Sequence, residues 1–437
     1  MGGLSFEQLE RSARERALRA AAKELEERLN DDHSDFVGPT TACVCGGTAR
    51  YQGRRVRDVV SALGEMSVGA AYYDCHDCGH GFYPRDRALG LDGTHFSPAV
   101  TRMIALVGAT VSFQEGSELL RELAGVELGA KRVERAAKRL GREIAVDERQ
   151  VVEPVVEPDP GREVPDTIYV AMDGTGVPMR KAALEGREGK QADGTAKTRE
   201  AKLCITFTAE SRDRDGNPRR DRGSVSFTAA IETAACADTD VESAPFAQRV
   251  LREARRRQFF QAKRRVVLGD GAHFIWNLAD EHLPGSIQIL DRFHAKEHLS
   301  AAAKGIWLPE GDNYHRWHSP REAELDAGNI ELLVERLNVH AYRRQDLPSC
   351  EEALVCAKYF DRNRDKMRYA EFQQEGLCTS TGVLEAACKT VIGSRLKRPG
   401  MHWSEEGANA IMALRCAKLS NRLDPFFLRR LVAKVAA

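Results

Sequence analysis

Apolar residues recur along this chain with two different periods, one helical and one strand-like. Up to about residue 145 the period is mostly helical, apart from short strand-like stretches between Arg54 and Tyr73. Leu9, Leu18, Ala22, Leu25 and Leu29 follow near-helical spacing, with Ser5 placed to cap the start and Glu7 in the first turn. Ser97-Pro98 opens a second helix that runs through Val107. A third spans Ser112 to Ala124, Gly125-Val126-Glu127-Leu128 makes a tight turn, and a basic helix covers Gly129 to Ile144. Helix, short glycine-containing turn and basic helix is a helix-turn-helix-like layout. Glu143 to Asp166 is acidic and holds Pro154, Pro158, Pro160 and Pro165, the composition of a linker.

From Thr167 the pattern turns to short β-branched runs. Strands are predicted over 167–173, 201–208, 224–231, 266–270 and 286–290, with helices over 238–257 and 274–281 and from Asp291 to Ile306. Two of these strands end alike: Met172-Asp173-Gly174 and Gly269-Asp270-Gly271 each deliver a carboxylate to the strand end, and the chain then turns. Three strands, a helix, then strands alternating with helices is the order of an RNase H-like α/β domain. In that order the first and fourth strands are central neighbours, and so are Asp173 and Asp270. Residues 308–395 predict only helices, an insertion after the fifth strand. Ser404 then caps a helix running through Leu414 and Leu419, whose first turns carry Glu405 and Glu406. The expected organisation is an N-terminal helix (1–35), a zinc-ribbon-like module (36–92), a helical DNA-binding domain (93–148), a linker (149–166), the first part of the RNase H-like catalytic domain (167–307), the helical insertion (308–395) and the C-terminal helix with the third acid (396–437).

At 437 residues the chain is long enough for two to three domains, and 42% hydrophobic content is that of a globular protein. No run of eighteen apolar residues suggests a membrane span, and Met1 to Asn30 lacks a signal-peptide core, so a cytoplasmic location is expected. Of eleven cysteines, four fall in two close pairs, Cys43/Cys45 and Cys75/Cys78, each pair followed by glycine. Two such knuckles supply the thiolates of a tetrahedral zinc site, although the first is one residue short of the usual Cys-x-x-Cys and His76 or His80 could replace a ligand. Four thiolates leave no open position, so this Zn²⁺ is read as structural. Formal net charge is zero, yet basic residues are grouped at Lys131–Arg142, Arg249–Arg265 and Arg415–Arg430. In the basic helix Gly129 to Ile144, Lys131, Arg132, Arg135, Lys138, Arg139 and Arg142 are the candidate DNA contacts.

Two aspartates and a glutamate converging on one point make an acidic all-oxygen site, which suits Mg²⁺ or Mn²⁺ rather than zinc. Two such ions activate a water or 3′-hydroxyl and stabilise the leaving oxygen of a phosphodiester. The plain alternative is that each Asp only caps a strand-to-helix turn; two in this strand order, with a downstream Glu, favour the metal site.

Five blocks, in order, resemble the DDE-type transposases of bacterial insertion sequences, the ISKra-type group most closely. They are Ala171-Met172-Asp173-Gly174-Thr175, Arg199-Glu200-Ala201-Lys202, Gly269-Asp270-Gly271-Ala272 with Trp276-Asn277, Leu290-Asp291-Arg292-Phe293-His294, and Gly400 through Ala408 with Leu414-Arg415. The resemblance implies Asp173, Asp270 and Glu406 as a triad binding two Mg²⁺ or Mn²⁺ ions, with Glu405 as the fallback third acid. It implies His294, Asp291 and Lys202 as neighbours of the active site. The implied protein binds the terminal inverted repeats of its element as double-stranded DNA, frees 3′-hydroxyl ends and joins them to target DNA. It would act as a homodimer or larger assembly on the bacterial nucleoid. Two other readings stay open: a transposase-derived DNA-binding protein that needs no catalysis, and an RNase H-like nuclease that cuts without joining.

Overall fold

The computed structural model describes residues 4–91, 93–150, 164–189, 191, 194–214, 216–235, 242–307, 312–343, 349–380 and 382–436. Most of the predicted linker therefore lies outside the described residues. The chain divides into two compact units, Met1–Ile144 with Asn421–Ala437, and Ala145–Ser420.

The first unit opens with α1 (Phe6–Asp31), started by a capping box in which Ser5 and Gln8 satisfy each other's backbone amides. A four-stranded antiparallel sheet follows, β1 (Thr40–Ala42), β2 (Thr48–Ser61), β3 (Gly64–Cys75) and β4 (Gly81–Phe82), in chain order. The predicted short strand-like stretches between the knuckles are in fact one long hairpin. A bulge between Tyr51 and Arg54 accommodates its twist, with Gly53 at φ 103°. One end of the hairpin packs Val59, Met66 and Val68 against Ala22, Leu25 and Leu29 of α1. At the other end, Cys43, Ala49, Ala71, Tyr73 and Cys75 form a small separate cluster. Then come α2 (Pro84–Leu89), α3 (Pro98–Thr110), α4 (Phe113–Leu119) and α5 (Ala130–Gln150). Ser97 and Ser112 cap α3 and α4, and Gly125 in the left-handed region closes the turn before α5.

The second unit is mixed α/β. Its strands are β5 (Thr167–Pro178), β6 (Thr198–Phe207), a small hairpin of β7 (Ser211–Arg212) and β8 (Pro218–Arg219), and β9 (Ser226–Ala230). After α6 (Pro245–Arg256) come β10 (Arg264–Gly269), α7 (His273–His282), β11 (Ile287–Leu290) and α8 (Arg292–Ile306). The five-stranded sheet has the order β11-β10-β5-β6-β9. β10 and β11 run parallel to β5, while β6 and β9 continue antiparallel. β5, β6 and β10 are near-continuous buried runs because helices cover them, as two-sided central strands require.

Helices follow: α9 (Asp312–Asp326), α10 (Ile330–Arg343), α11 (Ser349–Arg362), α12 (Tyr369–Gln374), α13 (Gly382–Ala387) running into a π-helical turn Cys388–Gly393, and α14 (Ser394–Leu396). Among the described residues between 308 and 395 there is no strand. α15 (Glu405–Leu419) is capped by Ser404 and packs on β9, where Asn409 accepts from the Ile231 amide at 2.7 Å. The last helix, α16 (Leu423–Ala436), belongs to the first unit and not with the α/β unit where the sequence grouped it. Arg430 pairs there with Glu143 at 2.9 Å. No helix among the described residues is long and apolar enough to cross a membrane.

Candidate active site and metal centre

The parallel pairing of β10 with β5 sets Gly269 opposite Met172, so the next residues, Asp270 just past the end of β10 and Asp173 within β5, lie side by side. In a parallel pair, residues at the same register share a face, so both carboxylates point the same way. The opposite face is sealed: a Cβ on Gly269 would lie 2.8 Å from Ile275 and 3.3 Å from Trp276 of α7.

Asp173 is held from two sides. The Gly174 amide donates to Oδ1 at 2.6 Å and the Cys388 thiol to Oδ2 at 3.0 Å. Burial raises its pKa, and the neighbouring Asp270 charge adds to the rise, while Cys388, Gly174 and His294 oppose it. Cys388 is itself pushed up by burial and by the Asp173 charge, so it stays a thiol and a donor. Asp270 accepts from the Ala272 amide at 2.9 Å, and its carbonyl accepts from the Tyr359 hydroxyl at 3.1 Å. Gly271, at φ 95°, lies so close to that hydroxyl that a Cβ would sit 2.7 Å from it; only glycine fits.

α8 brings imidazoles to the same corner. The Asp291 amide donates to the Gly269 carbonyl at 2.8 Å, and the Asp291 carboxylate caps the helix by accepting from the His294 amide at 2.7 Å. Asp291 is thus committed as a buried cap. His294 meets His298 edge to face with centroids 4.9 Å apart, and His298 stacks on Tyr359 at 4.0 Å. Burial and the adjacent His294 lower the His298 pKa below the usual range, which keeps it neutral at pH 7.

Lys202 stands apart. It pairs with Gly174, so the pleat puts it on the face away from Asp173. Its ammonium bridges Glu200 at 2.8 Å, donates to the Glu232 carbonyl at 3.2 Å and lies over the Phe274 ring. The sequence placed Lys202 near the first Asp along the strand; the alternation of the strand separates them.

The glutamates sit farther along. The Trp403 amide donates to the Pro178 carbonyl at 3.1 Å and the Arg180 amide to Trp403 at 2.9 Å, strapping the start of α15 to the end of β5. Glu405 pairs with Arg199, which stands opposite Val177 and so shares the face of Asp173. Glu406 is exposed in the same first turn. The carboxylates do not close into a cage: among the described residues, the cluster of three or more metal-ligating side chains with ligand atoms within 4.8 Å of one another is that of the four cysteines. The two aspartates, an all-oxygen pair in which the Asp270 charge disfavours that of Asp173, fit a hard divalent cation. Cys388, Tyr359, His298 and Arg199 contribute to this corner, and sequence reasoning assigned none of them a role. Two carried a signal: His298 stands four residues after His294 on one helix face, and Arg199 opens one of the five blocks.

Asp173→Asn is expected to stabilise the metal-free protein at pH 7. The folded-state pKa of Asp173 is raised, so ionising it costs stability as pH rises through that value, and the cost is absent below the unfolded pKa. Thermal melts in chelator should show a higher Tm for the variant at pH 7 and a difference that vanishes in acid. An unchanged or lower Tm at pH 7 would mean the carboxylate carries no such penalty.

In the first unit Cys43 and Cys78, and Cys45 and Cys75, have sulfurs 3.7 Å apart. A tetrahedron with Zn–S bonds of about 2.3 Å has edges of about 3.8 Å, so the four thiols fit zinc with little movement. The Gly47 amide and the neighbouring thiols hold Cys45 down to about 7. His80 stacks on Phe82, outside the cluster. The one-residue first knuckle works because the Cys43 and Gly47 backbones close it, with the Cys43 amide donating to the Gly47 carbonyl at 2.9 Å.

Of the six candidate DNA contacts on α5, Lys138 is paired with Glu134 at 2.6 Å and Arg139 with Glu143 at 3.3 Å. Arg132 lies over Phe96. Lys131, Arg135 and Arg142 are exposed, with Lys131 3.5 Å from Glu134.

No protein-family model and no curated protein matches this chain. Among solved structures, a Drosophila P element transposase strand transfer complex is similar over 75% of this chain and 79% of that chain, at 11% identity and a TM-score of 0.25. A likeness that loose places no constraint on function.

Proposed function

We propose that the chain is a DDE-type transposase of the ISKra-type group, built on an RNase H-like domain. The observation that carries the reading is the register of β10 on β5, which makes Asp173 and Asp270 neighbours on one face. Two divalent ions held by Asp173, Asp270 and Glu406 would supply Lewis-acid activation of a phosphodiester. The chain's own residues do the rest. The Gly174 amide and Cys388 fix the Asp173 carboxylate, and Tyr359 fixes the Asp270 turn. The Arg199–Glu405 pair anchors the first turn of α15, in which Glu406 would be the third acid. His294 stands beside the two aspartates as a contact for the scissile phosphate.

In the first step a water oxygen attacks phosphorus, the P–O3′ bond breaks, and the leaving oxygen takes a proton to become a free 3′-hydroxyl. In the second, that hydroxyl attacks a target phosphate and expels the target's own 3′-oxygen. α4 and α5, with the zinc module, would bind the terminal inverted repeats. Two ends must be joined, so a dimer or larger assembly is required.

The test is a cleavage and strand-transfer assay on duplexes carrying the element's ends. Joined product with Mg²⁺ or Mn²⁺ and none in chelator is the expected result. Cutting of pre-formed duplex without any joining would replace the reading with a nuclease. Binding without either reaction would replace it with a DNA-binding protein.

A further inference from the structure

The β7–β8 hairpin carries five arginines and three aspartates between residues 211 and 223. The described acids are turned to internal use. Asp221 accepts from Thr208 Oγ1 at 2.6 Å, the Glu210 amide at 3.1 Å, and the Ser211 amide and hydroxyl at 2.8 and 2.5 Å. Those donors outweigh partial burial and hold its pKa down at about 2. Asp213 accepts from the Asn217 amide at 2.8 Å and closes the turn. Arg212 is tied to the carbonyls of Ala209 and Gly376.

What remains outward among the described charged residues is cationic. Arg214, Arg219, Arg220 and Arg222 are exposed, and their guanidinium groups have no hydrogen-bond or ion-pair partner among the described residues. Elsewhere in this unit arginines are typically committed, as in Arg249 with Glu232, Arg292 with Asp326 and Arg368 with Glu331. Four uncommitted guanidiniums on one short, internally pinned turn are costly in self-repulsion, and a polyanion relieves that. Guanidinium forks match phosphate oxygens.

The hairpin also has a defined place. β6 pairs Leu203 with Asp173 and Phe207 with Tyr169, so the hairpin, which follows Phe207, extends the sheet at the end away from the two aspartates. The offset is about 15 Å or more at roughly 3.3 Å per residue. That is less than one turn of duplex, about 34 Å.

We infer that the β7–β8 hairpin is a second DNA-binding surface, gripping duplex phosphates away from the scissile bond through Arg214, Arg219, Arg220 and Arg222. This rests on the transposase reading for its choice of polyanion. The surface reads no sequence, because phosphate contacts carry none.

The experiment measures binding of the full-length protein to a random-sequence 30-bp duplex between 50 and 300 mM salt. Wild type is compared with R214Q/R219Q/R220Q/R222Q and with the four Arg→Lys changes. The expected result is a salt slope shallower by about 3 and affinity lower by about tenfold or more at physiological salt in the Gln variant, with most of the slope kept in the Lys variant. Circular dichroism checks that both variants fold, which the exposure of all four side chains favours. An unchanged slope in a folded Gln variant overturns the proposal, as does binding of poly-glutamate or single-stranded RNA with the same hairpin dependence as the duplex. Binding is read without catalysis, so the two proposals can fail separately. A protein that never joins ends but shows the hairpin-dependent slope loses only the catalytic reading; one that joins ends with an unchanged slope loses only this surface.

Discussion

Asp270→Ala is expected to reduce cleavage and strand transfer by about 10³-fold or more, with binding to the element's ends retained. The size follows from what the residue does in the proposed site. It is half of the carboxylate pair, and residues that act as a unit lose most of the rate when any one is removed. The double variant Asp173→Ala/Asp270→Ala should therefore be no worse than either single variant within a few-fold. Folding should survive, because Asp270 sits at a strand end and its structural task, turning the chain at Gly271 under Tyr359, is carried by its backbone carbonyl. Single-turnover assays with pre-cleaved ends would read joining apart from cutting. Retention of even a tenth of wild-type joining would remove Asp270 from the machinery and, with it, the pairing on which the function is built.

Removal of zinc should have the largest effect on stability, and it should be local. The cluster around the four cysteines is small: Cys43, Ala49, Ala71, Tyr73 and Cys75 with Tyr51 and Phe82. Such a core does not hold four short strand ends by itself. Structural zinc contributes roughly 10 kcal/mol or more of binding energy, which becomes folding energy where the apo site is disordered. One zinc per chain is expected, and chelation or Cys75→Ser should expose the amides of β1, β4 and the adjoining ends of β2 and β3 to hydrogen exchange. The far end of the same hairpin, where Val59, Met66 and Val68 pack on α1, has a core of its own and should keep its protection. Full protection throughout in a protein shown to contain no zinc would make the thiols an ordinary buried cluster. Loss of all protection in the first unit would mean the two ends of the hairpin are one cooperative piece.

Local signals were the legible ones. The β-branched runs ending in Asp-Gly located β5 and β10 because a buried central strand must be apolar on both faces. Serine caps located the starts of α1, α3, α4 and α15 because a helix needs acceptors for its first amides. Cysteine pairs followed by glycine located the cluster of four thiols that could hold a metal ion. Extents were less legible. β5 runs to Pro178 rather than stopping at Asp173, since its pairing with β6 continues as far as Thr198. The β7–β8 hairpin escaped notice because two-residue strands have no measurable period.

By itself the sequence determined where most strands and helices lie, the two Asp-Gly sites on β5 and after β10, and the thiols that can close on one ion; each is written in neighbouring residues through periodicity, capping and knuckle spacing. Only the tertiary structure decided which side chains meet. Lys202 is turned from Asp173 by the pleat, Asp291 is used up as a helix cap, and Glu405 is claimed by Arg199 from another strand. Cys388 and Tyr359, far along the chain, come to rest on the two aspartates. Those outcomes depend on strand order, register and the packing of the inserted helices, and such contacts are set by burial over the whole domain, not by any stretch of sequence that could be read alone.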